Sequence, residues 1–128
     1  MKKTYLCFFF SIAFSSAMAA DEMPSDLLGK WVFNDESMCQ DKNLCDCSKV
    51  GESGLIIGQK SIKFGIDESC EVKKISQKNG SYKISQRCTG TEGNRNITKS
   101  YFIKGKLLTT KEYDGEHNWE FKYKRCPD

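Results

Sequence analysis

Alternation of apolar and polar residues dominates the chain. "SIKFGI" sets Ile62, Phe64 and Ile66 on one face, with Lys63 on the other. "SYKISQRC" sets Tyr82, Ile84, Gln86 and Cys88 against Lys83, Ser85 and Arg87. "HNWEFKYKR" turns Trp119, Phe121 and Tyr123 inward against Glu120, Lys122 and Lys124. A period of two over such runs predicts half-buried strands. No window carries helical spacing, and Pro24 and Pro127 fall outside the strand runs. Asp67-Glu68 and the glycine-containing pairs Gly58-Gln59, Asn79-Gly80, Lys104-Gly105 and Asp114-Gly115 separate the runs as turns. Strands are expected near residues 29–34, 54–58, 60–66, 70–76, 81–88, 96–103, 106–113 and 117–125. Longer loops are expected at 35–53 and 89–95. An open meander of eight antiparallel strands leaves its first and last strands as bare edges, and pairing them removes both. The expected fold is therefore all-β: an eight-stranded antiparallel meander barrel, with an open or two-layer β-sandwich as the alternative. An eight-stranded barrel is filled by side chains or holds one small ligand.

The first residues do not join this pattern. Lys2 and Lys3 precede the apolar run "TYLCFFFSIAF", and "SSAMAA" places small residues at Ala17 and Ala19. This is the layout of a secretory signal peptide over residues 1–19, and the run is too short to span a bilayer. Cleavage after Ala19 leaves 128 − 19 = 109 residues, Ala20 to Asp128, enough for one domain. The expected location is periplasmic or secreted, with no membrane anchor after cleavage. Cys7 leaves with the signal. Cys39, Cys45, Cys47, Cys70, Cys88 and Cys126 remain, an even set that reads as disulfides in a small exported chain. A zinc site is not expected: Cys45-x-Cys47 has the wrong spacing, and His117 is the sole histidine.

Connectivity is argued from register. If the turn after residue 77 is the three residues Lys78-Asn79-Gly80, Cys70 faces Cys88. A two-residue Asn79-Gly80 turn would instead place Cys70 opposite Thr89. Cys39 with Cys126 is the second expected pair, leaving Cys45 and Cys47 to each other or to a partner.

Net charge after cleavage is small, 18 − 17 = +1, but its distribution is not even. Residues 20–47 hold seven acids and two bases, and residues 48–128 hold ten acids and sixteen bases. The lysines are read as the outward faces of strands. No basic cluster with stacking aromatics points to nucleic acid.

Gly29-Lys30-Trp31, with Arg125 near the end, resembles the G-x-W start and late basic residue of the calycin superfamily of lipocalins, avidins and some bacterial protease inhibitors. The resemblance implies that Trp31 plugs one barrel end under Arg125. "PSDLLGKWVFNDESMC" also resembles the front of periplasmic inhibitors of serralysin-type metalloproteases. That resemblance implies a leading arm, here Ala20 to Asp26, which enters a protease cleft. The six cysteines depart from that family's single disulfide. The whole chain resembles a class of small exported alphaproteobacterial proteins with a terminal Y-x-R-C, a likeness that brings no activity with it.

Catalytic chemistry is not expected. Catalysis needs a positioned constellation, whereas His117 stands alone beside Glu116, and Asp35-Glu36 and Asp67-Glu68 fall in turns. G-x-S-x-G, H-E-x-x-H and phosphate-cradling glycine motifs do not occur. Two sequons, at Asn79 and Asn96, follow a bacterial-type signal and are expected to stay bare. The unusual stretch is "CQDKNLCDC", three cysteines within a long acidic loop. The expectation is a non-enzymatic exported binding module without cofactor, which presents this loop to an unknown protein target. Asp41, Asn43 and Asp46 would be the contact residues, and inhibition of a protease or another secreted protein the outcome. The alternatives are a small-ligand barrel lined by Trp119, Phe121 and Tyr123, a lysozyme inhibitor, or a structural periplasmic protein of no specific ligand. The lysozyme alternative lacks the S-G-x-x-Y motif, and +1 gives poor steering toward a basic enzyme.

Overall fold

The computed structural model describes residues 22–91 and 93–128. The expected signal peptide and its cleavage site lie outside them. Eight strands form a closed antiparallel barrel in sequence order: β1 (Gly29–Phe33), β2 (Leu55–Ile57), β3 (Ser61–Phe64), β4 (Glu68–Lys78), β5 (Ser81–Gly90), β6 (Gly93–Lys104), β7 (Leu107–Tyr113) and β8 (Asn118–Arg125). β1 pairs with β8 through Trp31↔Arg125 and Phe33↔Tyr123, so neither end strand is left bare.

The alternation places the core as the sequence suggests, with two exceptions. Ile62, Ile84, Gln86, Cys88 and Tyr123 are buried, beside Trp31, Ile75, Tyr101 and Leu108. Ile66, expected inward, is 75% exposed. β3 ends at Phe64, and Gly65 at φ +61° turns the chain before the alternation reaches Ile66. Trp119, also expected inward, is 47% exposed because it stands at the rim, above the filled part of the barrel. The 89–95 loop is largely ladder instead, since Thr89↔Asn94 and Gly90↔Gly93 still pair.

The 35–53 loop is made of single helical turns, too short to show a period: 3₁₀ turns at Met38–Gln40, Lys42–Cys45 and Cys47–Lys49, then α1 (Val50–Ser53). Its disulfides differ from the expected ones. Cys39 bonds Cys45, and Cys47 bonds Cys126. The 3₁₀ turns fold Cys39 back beside Cys45 and carry Cys47 to the outer side of β1. There Cys126, Val32 and Val50 form a small cluster of their own.

Cys70 does bond Cys88, by a route different from the one expected. The turn is the two-residue Asn79-Gly80, with Lys78↔Ser81 the first pair. That register alone would offset Cys70. A bulge between Val72 and Lys74 leaves Lys73 unpaired, shifts the ladder by one, and restores Cys70↔Cys88. Three disulfides are the chemistry of an oxidising compartment. Among the described residues no helix is long and apolar enough to cross a membrane.

Candidate binding site at the open end of the barrel

The two barrel ends are built differently. At the end where β1 begins, Trp31 is fully buried and its indole Nε1 donates to the Leu27 carbonyl at 3.0 Å. The Arg125 guanidinium lies 4.2 Å from the indole centroid. It also donates to the carbonyls of Leu28, at 2.7 Å, and Asp26. A guanidinium on a buried indole face is worth about 2 kcal/mol. Gly29 makes the approach possible. Its φ is +131°, and a Cβ there would lie 3.0 Å from Arg125 Nη1. Met23 and Leu27 are buried in the same plug. Of the arm expected at Ala20–Asp26, Met23 is buried in this plug, Ser25 and Asp26 are exposed, and Ala20 and Asp21 lie outside the described residues.

The interior above this plug is filled. Tyr101 donates to Gln86 Oε1 at 2.6 Å, and Tyr123 bonds Thr110. Burial pushes both phenols up, out of the ordinary tyrosine range. Next comes an aromatic layer. Phe33 stacks on Tyr123, with centroids 5.0 Å apart, and meets Phe64 and Phe121 at 5.9 Å each.

Above the phenylalanines the barrel opens. A cleft of about 450 Å³ has Phe33, Phe64 and Leu44 as its apolar lining, with Ser53, Glu52, Asp67 and Thr91 at its rim. Gly65, at positive φ, brings the β3–β4 turn against the loop: its N–H donates to the Gly54 carbonyl at 2.8 Å. A Cβ at Gly65 would come within 3.0 Å of the Glu52 carbonyl oxygen. One wall of the cleft, lined by Glu68 and Arg95, carries an ion-pair network that ties three strands. Arg95 on β6 reaches Glu68 on β4 at 3.1 Å and Glu112 on β7 at 3.4 Å. Lys99 lies below it, 3.8 Å from Glu112 and 5.9 Å from the Phe64 centroid. Burial pushes the Lys99 amine down, while Glu112 opposes the shift. Glu68 also approaches Cys70 and Cys88, but those sulfurs are bonded to each other and offer no thiolate to a metal.

The residues singled out in the sequence do not form one site. Asp41 accepts from the Asn43 N–H at 3.0 Å, and Asp46 from the Ser48 N–H and hydroxyl at 2.9 Å each. Both carboxylates cap turns of their own loop. The Ser48 bonds hold Asp46 below the usual carboxylate range. Trp119, Phe121 and Tyr123 run from rim to core at three depths, exposed, half-buried and buried. They do not line a cavity together. Trp119 Nε1 donates to Asp114 Oδ2 at 3.1 Å, holding the indole on the β7–β8 turn.

Sequence reasoning missed Phe33, Phe64 and Leu44 as a lining, and the whole Arg95–Glu68–Glu112–Lys99 network. A signal for the network was present. Ile97, Lys99, Tyr101 and Ile103 share one phase of β6, so Lys99 and Arg95 occupy inward positions. No protein-family model matches the chain, and no curated protein or solved structure matches it significantly.

Proposed function

We propose that the protein is an exported, non-enzymatic binding module that takes hold of another protein through the open end of its barrel. The supporting observation is the asymmetry between the ends. One is sealed by Trp31, Leu27 and Arg125, and the other exposes an apolar cleft bordered by a loop with two disulfides. A cross-linked loop loses little freedom on binding, which favours affinity. The cleft lies above a filled core, so its shape suits a side chain projecting from a partner better than a molecule enclosed in the barrel. Glu52 and Asp67 at the rim favour a partner group with a cationic tip on an apolar stem. The disulfides and the signal-like leader support a location in the periplasm or outside the cell. Inhibition of a secreted enzyme is one consequence of such docking.

Site-specific photocrosslinking tests this. A photoreactive residue at Ser53 or Thr91 should join the protein to one reproducible partner. The same group at Lys78, the last residue of β4 at the sealed end, should not. With the photoreactive group at Thr91, Ser53→Trp, which fills the cleft, should abolish the adduct while the variant remains folded, at the loss of the Ser53 hydroxyl's bonds to the Asn43 and Lys49 carbonyls. Equal adducts from Ser53 and Lys78 would rule the open end out.

A further inference from the structure

A second surface, away from the cleft, has its own chemistry. We propose that the outer face of β6–β8 docks on an anionic lipid surface. Phe102 and Leu107 are 38% and 50% exposed on neighbouring strands, and a groove of about 350 Å³ runs past them beside Lys104, Thr109 and Lys122, reaching the buried Leu108 and Tyr123. The registers surround them with cations. Lys104 faces Leu107, Leu107 faces Lys124, and Thr109, opposite Phe102, faces Lys122. Lys111 lies with its Nζ 5.1 Å from the Phe102 centroid, and Lys106 occupies the turn between β6 and β7. Among the described outward positions of these strands the single carboxylate is Glu120, already shared by Lys111 at 3.8 Å and Lys122 at 3.9 Å.

Scattered exposed apolar residues need no explanation, but an adjacent pair framed by lysines has a specific use. Apolar side chains enter the boundary between headgroups and acyl chains. The lysine stems follow them while the amines stay at phosphate level. The cations favour lipid over an acidic protein. No arginine faces outward on these strands, since Arg95 and Arg125 both serve the interior and the plug. Lysine acts as a mobile point charge on a long apolar stem, which suits a fluid layer of headgroups, whereas arginine's rigid fork suits carboxylates or phosphates held in fixed positions, as on a folded protein. The carboxylates of the opposite end, at Asp35, Asp67 and Asp114, would be repelled by the same surface. Lipid docking therefore leaves the cleft facing solution.

Vesicle co-sedimentation of the exported protein tests the proposal. Phosphatidylcholine vesicles containing phosphatidylglycerol should bind it, with affinity falling as salt is raised, and phosphatidylcholine alone should bind at least about tenfold more weakly. Each lysine near such a surface contributes about fivefold, so Lys104→Gln with Lys124→Gln should weaken binding about 25-fold. Phe102→Ser with Leu107→Ser should weaken it at least about fivefold at a temperature where circular dichroism shows the variant still folded. Equal binding to both vesicle types overturns the proposal, as does either double variant binding like the parent. Polyglutamate capturing the protein as tightly as the anionic vesicles also overturns it, in favour of an acidic polypeptide.

Discussion

At the residue scale, Gly29 and Arg125 depend on each other. Gly29→Ala adds a Cβ 3.0 Å from the guanidinium and places an L side chain at φ +131°. The expected cost is about 2 kcal/mol, read from denaturant unfolding. Gly51→Ala is the control, since no atom lies within 4 Å of its Cβ position. In α1 it should be neutral or slightly stabilising. The buried phenols give a pH signature. Tyr101 and Tyr123 have folded pKa values raised above the unfolded value, chiefly by burial. Their contribution is fully present below about pH 10 and is lost as pH rises beyond it, by about 1.4 kcal/mol per pH unit for each phenol. Lys99, with its amine pushed down, acts in the opposite direction and over lower pH: its burial penalty eases as the native amine deprotonates. The expected outcome is a denaturation midpoint that falls steeply above pH 10, with tyrosinate absorbance from these two rings appearing only on unfolding. Tyr101→Phe should flatten that fall.

At the element scale, the β4 bulge reconciles two demands that one regular strand cannot meet. Ile75 must point inward opposite Ile84, and Cys70 must point inward opposite Cys88. These positions differ by an odd number, so plain alternation puts one of them outside. The unpaired Lys73 corrects the phase. Deleting Lys73 should therefore leave a regular ladder with both pairings intact. Peptide mapping should still recover Cys70 linked to Cys88, and stability should change by about 1 kcal/mol or less. A Cys70 free or bonded elsewhere would mean that the turn, and not the bulge, sets the phase. This strand also shows what was legible. Alternation and glycine pairs gave all eight strands and their closure, because those signals are local. The Cys70–Cys88 pair came from opposition within one hairpin, although the turn length assumed for it was wrong by one residue. The other two disulfides were not legible. They depend on where the one-turn helices of residues 38–53 carry the chain, and a single turn leaves no period in the sequence. The cleft was legible only in part, since Phe33, Leu44 and Arg95 meet there from segments far apart in the chain.

At the scale of the whole molecule, the three disulfides close loops of very different length and should contribute unequally. In the chain-entropy account, a crosslink removes freedom from the unfolded state in proportion to the logarithm of the loop it closes. Cys39–Cys45 has a sequence separation of 6, Cys70–Cys88 of 18, and Cys47–Cys126 of 79. The expected contributions are about 2, 3 and 4.5 kcal/mol in that order. The largest is comparable to the whole reserve of a small domain. Cys47–Cys126 also anchors the end of the chain to the loop that borders the cleft, covering Val32 and Val50. Replacing Cys47 and Cys126 together by alanine should cost the most stability and also loosen the cleft border. Replacing Cys39 and Cys45 should cost the least while still freeing Leu44, which lies between them in sequence and lines the cleft. Denaturant unfolding of the three double-alanine variants gives the stability order, and the Ser53 photocrosslink gives the cleft's response. An order that places Cys39–Cys45 first would show that native contacts in the loop, rather than freedom removed from the unfolded chain, are what these bonds secure.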